Sequence, residues 1–98
     1  MTREQVLTTL RAHEQQLRDA GIEGLALFGS SARGDQRPDS DVDLLAIFDA
    51  TRRLSVLDVV GLQLRIADLL GVKVDLTEEG SLKPRIQKRV QAEVVRAF

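Results

Sequence analysis

The chain has 98 residues, 43% of them hydrophobic and 30% charged, which is the composition of a folded globular protein and excludes disorder and collagen-like repetition. A chain this short buries only about two-thirds of the surface its unfolded form exposes, so one compact domain over residues 1–98 is expected. Fourteen Lys and Arg against fifteen Asp and Glu leave a net charge of -1, so no broad basic field exists to hold nucleic acid or an anionic membrane, and any phosphate must be bound locally.

The absence of cysteine excludes disulfides, thiolate zinc sites and cysteine nucleophiles. The first residues carry no signal-peptide core, and no apolar run approaches the ~18 residues a membrane helix needs, which makes the cytoplasm the expected compartment. Three phenylalanines (Phe28, Phe48, Phe98) with no Tyr or Trp are too few for a platform on which single strands stack.

In chain order, Thr2 with Gln5 reads as a capping box opening a helix over residues 3–19, with Val6, Leu10 and Leu17 on one stripe and Gly21 as its stop. Residues 22–28 form a short apolar strand running into a tight turn at Gly29-Ser30. Residues 31–40 are polar, contain Gly34 and Pro38, and suit a helical turn and a loop. From Asp41 a second strand follows, apolar on both faces once its two aspartates are passed. Ser55 with Asp58 caps a further helix that carries Leu57, Val60, Leu64 and Leu69-Leu70 up to Gly71. Its apolar residues spread over more than one stripe, which leaves room for an oligomer or partner contact. Val72, Val74 and Leu76 alternate with polar residues in a third strand, whose one acid is Asp75. A last helix begins at Ser81, tolerates Pro84 in its first turn and places Leu82, Ile86, Val90, Val94 and Phe98 at near-helical spacing. The expected architecture is a small α/β (α+β) domain, a mixed three-stranded sheet with helices packed on it.

The chemistry concentrates in residues 29–45. Asp41 and Asp43 lie two apart on a strand, so they leave the same face with Cα atoms roughly 6 to 7 Å apart. Adjacent carboxylates repel unless protonation or a cation offsets the cost, and hard oxygen donors select Mg2+, or Mn2+, over zinc. Gly29, without a Cβ, lets phosphate oxygens approach backbone N–H groups, and the Ser30 hydroxyl adds a donor. Other motifs in the stretch are weaker. An EF-hand reading fails because Leu44 and Ala50 occupy its glycine and glutamate positions. Arg33-Gly34-Asp35 spells an adhesion tripeptide without a secretion signal. His13 lacks a catalytic partner nearby in sequence, and Arg85, Lys88 and Arg89 read as a solvated helix face.

Gly-Ser, ten residues, then Asp-x-Asp resembles the signature of the DNA polymerase beta-like nucleotidyltransferase superfamily, and the chain is similar throughout to its minimal nucleotidyltransferase branch. The resemblance implies that two Mg2+ ions hold ATP or another NTP while an acceptor hydroxyl attacks the α-phosphate. In that scheme Asp41, Asp43 and Asp75 are the metal ligands and catalytic acids, with Asp75 supplying the third carboxylate from a later strand. Gly29 and Ser30 hold the β- and γ-phosphates, and Arg33 adds a forked phosphate contact. The branch is also similar to antitoxins that silence a HEPN-type ribonuclease toxin by transferring AMP from ATP to a toxin tyrosine. Nothing beyond the catalytic core is left to form an acceptor-binding domain, so a partner protein is expected to bring the hydroxyl. The sequence has no Tyr of its own to modify. Two alternatives stand beside this: a binding module of the same fold that acts by occupancy, and a transferase acting on a small molecule such as an aminoglycoside.

Overall fold

The computed structural model describes residues 2–34 and 41–98. Among them a four-stranded sheet in the order β3-β2-β1-β4 carries helices on both faces. Helix α1 (Arg3–Ala12) opens with the expected capping box, in which the Thr2 N–H donates to Gln5 Oε1 at 2.8 Å and the Gln5 N–H to Thr2 Oγ1 at 3.2 Å. The helix expected to run on to residue 19 instead breaks at His13 (φ -109°, ψ 15°) and resumes as α2 (Glu14–Asp19). The His13 ring Nδ1 sits 2.9 Å from the Thr9 carbonyl, so this side chain serves the break.

Strand β1 (Ile22–Leu27) leads into α3 (Gly29–Arg33), so Gly29-Ser30 is the first turn of a helix rather than a turn ahead of one. The loop expected before residue 41 lies outside the described residues. Strand β2 (Val42–Phe48) pairs antiparallel with β1, and α4 (Val56–Leu70) then crosses over to β3 (Val74–Glu78), which runs parallel to β2. The Ser55–Asp58 capping box forms at the start of α4, and Gly71 ends it in the left-handed region at φ +72°. The residues α4 buries are Leu62, Ile66 and Leu70, while Leu57, Val60 and Leu64 of the expected stripe face outward.

The largest departure is at the C-terminal end. Ser81 belongs to a 3₁₀ turn (Glu79–Ser81), and α5 (Pro84–Glu93) starts at Pro84 with Lys83 as its N-cap. The helix does not reach Phe98: Val94 turns extended, and β4 (Val95–Arg96) joins the free edge of β1, making four strands where three were expected. Tertiary contacts override the helical spacing here. The Ala97 N–H donates to the Leu25 carbonyl at 2.9 Å, and the Arg11 guanidinium bonds the Ala97 and Arg96 carbonyls at 3.0 Å each. Arg18 stacks 5.1 Å over the Phe98 ring.

Strand alternation sorts the sheet into two faces. Val42, Leu44, Ala46, Val74 and Leu76 point into the main core, with Leu10 and Leu17 from α1 and α2 and Ile66 from α4. Asp43, Leu45, Ile47, Asp75 and Thr77 lie on the opposite face. There α5 lies across, with Gln87 bordering a cleft of about 370 Å³ together with Ile47, Phe48 and Glu78. No helix among the described residues is long and apolar enough to cross a membrane.

Candidate active site

The parallel register of β2 and β3 pairs Asp43 with Asp75, so two carboxylates leave the same face of neighbouring strands whose backbones are about 4.8 Å apart. Asp41 stands one residue ahead of β2, and both it and Asp75 are exposed, while Asp43 is half-buried. Burial pushes the Asp43 carboxyl above its ordinary range, and the negative charges of Asp75 and then Asp41 push it the same way. The three acids predicted from sequence thus form one negative field.

No three Asp, Glu, His or Cys side chains among the described residues are already closed around an ion position. Asp43 and Asp75 instead stand as a register pair on neighbouring strands, with Asp41 two residues ahead, offering hard oxygen donors from one side. That arrangement fits Mg2+ or Mn2+, because Mg2+ is usually held by one or two carboxylates, with substrate phosphates and water completing its shell.

Glycine is required at position 29, beside Asp43, for two separate reasons. Its φ of +60° lies in the left-handed region, and a Cβ there would come within 3.4 Å of Asp43 Oδ2. The Phe28 N–H donates to the Asp43 carbonyl at 3.2 Å. Ser31, fully buried, accepts the Asp43 N–H on its Oγ at 2.9 Å. Both backbone polar groups of Asp43 are therefore tied to the turn from β1 into α3, which fixes the carboxylate relative to Gly29 and Ser30. Ser31 is absent from the residues the sequence singles out. There Ser30 is read with Gly29 as the phosphate cradle and Ser31 only as the start of a polar stretch, and only the helical phase of α3 turns the second serine toward β2.

Ser30 sits half-buried in the first turn of α3, and Arg33 ends that helix. The Arg33 guanidinium reaches across to α5, with Nη1 3.6 Å from Glu93 Oε2. Arg85, Lys88 and Arg89 of α5 are exposed, as expected.

A sheet with acids from adjacent parallel strands beside a Gly-Ser helix start defines the class of minimal nucleotidyltransferases. The chain belongs to the nucleotidyltransferase domain family, which matches residues 10–96. It is 40% identical over 96 residues to protein adenylyltransferase MntA of Thermococcus cleftensis, covering 97% of this chain and 95% of the relative. A Methanocaldococcus jannaschii protein provisionally named a protein adenylyltransferase is 32% identical over 96 residues, 96% of each chain. Among solved structures, one assigned as a minimal nucleotidyltransferase superposes with a TM-score of 0.83 at 37% identity, covering 97% of this chain and 95% of the other. A complex of a tri-AMPylated Shewanella oneidensis HEPN toxin with its MNT antitoxin shares the fold at a TM-score of 0.67 and 19% identity, covering 95% and 71%.

Proposed function

We propose that this chain is an antitoxin that transfers AMP from ATP to a tyrosine hydroxyl of a HEPN-type toxin. The observation that carries the reading is the placement of Asp43, with its carboxylate against Gly29 and its backbone clamped by Phe28 and Ser31, in the field of Asp41 and Asp75. The near-full-length similarity to an MntA adenylyltransferase supports protein as the acceptor. A toxin–antitoxin complex holding AMP-PNP, alike in fold at a TM-score of 0.71 and 21% identity, supports an adenine nucleotide.

In this reading Asp41, Asp43 and Asp75 hold the divalent cation. When bound, Mg2+ offsets the triphosphate charge and the charge that builds on the departing pyrophosphate. The Gly29 and Ser30 backbone N–H groups and the Ser30 hydroxyl hold the β- and γ-phosphates, and Arg33 exchanges Glu93 for a phosphate oxygen. As the bond from the acceptor oxygen to the α-phosphorus forms and the bond to pyrophosphate breaks, an Asp75 carboxylate oxygen takes the acceptor's proton.

The test is the intact mass of the co-expressed partner after incubation with this chain, ATP and Mg2+, beside the Asp41→Ala/Asp43→Ala variant. One or more added AMP units, missing with the variant, is the expected result. A partner that stays unmodified yet remains bound and inhibited would replace transfer by occupancy.

A further inference from the structure

Asp43 and Asp75 stand side by side, but their strands are not equally held. Asp43 lies on β2, which has β1 on one side and β3 on the other, and its backbone is tied to the turn into α3 as well. Strand β3 closes the sheet on its side, so among the described residues it pairs with β2 alone. Backbone groups on the outer edge of such a strand have no ladder partner.

The register shows which groups those are. The Val42 N–H donates to the Lys73 carbonyl at 2.9 Å, and alternate residues of a strand turn their backbone groups to the same neighbour. Lys73 and Asp75 therefore face β2, and Leu76 turns its N–H to the outer edge. That N–H donates to Gln63 Oε1 at 3.0 Å. Gln63 is half-buried near the middle of α4, between Leu62 and Ile66, which are both buried in the core. An acceptor mounted on a packed helix thus stands where a further strand would pair. The peptide it grips is the one that joins Asp75 to Leu76.

We propose that Gln63 is a positioning residue for Asp75: by holding the Asp75–Leu76 peptide from the outer edge of β3, it keeps the Asp75 carboxylate in register with Asp43. The chemical consequence rests on the transfer reading, in which Asp75 takes the acceptor's proton. Gly29 and Ser30 hold the phosphates from the other side of β2, without help from β3. Loosening β3 therefore slows the transfer step and leaves ATP binding as it was. A role in packing alone would lower the amount of folded protein and leave kcat per folded molecule unchanged.

Two variants of the full chain test this. Gln63→Met keeps the length and bulk of the side chain but replaces its oxygen by a poor acceptor, and Gln63→Glu keeps an oxygen acceptor. Native-state amide exchange followed by NMR reads the bond directly, and steady-state AMP transfer to the co-expressed partner, per folded molecule, reads its consequence. In Gln63→Met the Leu76 N–H is expected to exchange faster while the amides of β1 do not change. Its kcat falls about 10-fold, the low end for losing a group that orients a metal ligand, with KM for ATP unchanged. Gln63→Glu recovers both the protection and the rate. Leu76 exchange that Gln63→Met leaves unaltered overturns the proposal. So does faster exchange with an unchanged kcat, which would reduce Gln63 to a guard of the sheet edge, or a lost kcat that glutamate does not recover. A wild type that transfers no AMP would instead overturn the transfer reading, and the exchange measurement alone would then decide whether Gln63 holds β3.

Discussion

The two faces of the sheet are built from alternate residues of the same strands, yet they are finished differently. On one face Leu25, Leu27, Leu44 and Ala46 are sealed under α1, α2 and α4. On the other, Ala26 and Leu45 are buried, but Asp43 and Asp75 stand beside them, and α5 contributes no fully buried residue. The sealed face carries the apolar burial that holds the fold, and the open face is where the proposed transfer places its nucleotide and acceptor. Substitutions on the two faces therefore separate stability from chemistry.

The largest expected effect lies on the open face. Asp43→Ala lowers the rate of AMP transfer about 10²–10³-fold, the scale of losing one electrostatic stabiliser of a transition state, while the protein stays folded. Partner mass against time and a melting curve check both halves, and a variant that unfolds ends the separation of roles. The matching change on the sealed face is Leu17→Ala, which removes a side chain with no exposure and costs about 2–5 kcal/mol in urea denaturation. Ile86→Ala on α5, where the side chain is 47% exposed, costs less than about 1 kcal/mol. Equal costs at the two positions would show that α5 closes its face as firmly as α4 closes the other.

Much of this division is legible in the sequence. The Thr2–Gln5 and Ser55–Asp58 caps are local hydrogen-bond patterns, and both form as read. The acids are legible because β2 turns apolar on both faces directly after Asp43, so its polar end stands out. The failures are tertiary. Val94 and Phe98 keep helical spacing with the earlier apolar residues, but the unpaired edge of β1 and the Arg11 guanidinium capture this segment as a strand. On α4 the apolar residues occupy two stripes, and spacing alone does not say which one meets the sheet. Ser31 has no local signal because its partner, the Asp43 N–H, is twelve residues away.

Ser31 also joins the two faces, since it is buried yet acts on the strand that carries the acids. Ser31→Ala leaves the Asp43 N–H without its acceptor at a fully buried side-chain position, at a cost of about 1–3 kcal/mol. If the bond serves only the fold, the rate falls no further than the loss of folded protein. If it positions Asp43, the rate per folded molecule falls and the Mg2+ concentration needed for half-maximal rate rises. Ser31→Thr, which keeps the hydroxyl, recovers part of the metal response.

The smallest effect is a pH dependence with opposite signs on the two sides of the molecule. Asp43 has a raised carboxyl pKa, so between its ordinary value of 3.8 and the raised value the folded state binds more protons than the unfolded one. Stability of the metal-free protein therefore falls as pH rises through that window, through this group. Asp58, held low by the Ser55 backbone and side-chain hydrogen bonds of the α4 cap, acts in the reverse sense. Its contribution is present above 3.8 and is lost as pH drops through its lowered value. Melting temperatures of wild type and Asp43→Asn, measured with chelator from about pH 3 to 7, isolate the first effect as a difference curve. The asparagine variant is expected to gain on wild type as pH rises and then level off. Added Mg2+ reverses that order by stabilising only the protein that keeps its carboxylate. A flat difference curve would mean that the open face holds its acids without electrostatic cost, and that a cation has nothing there to relieve.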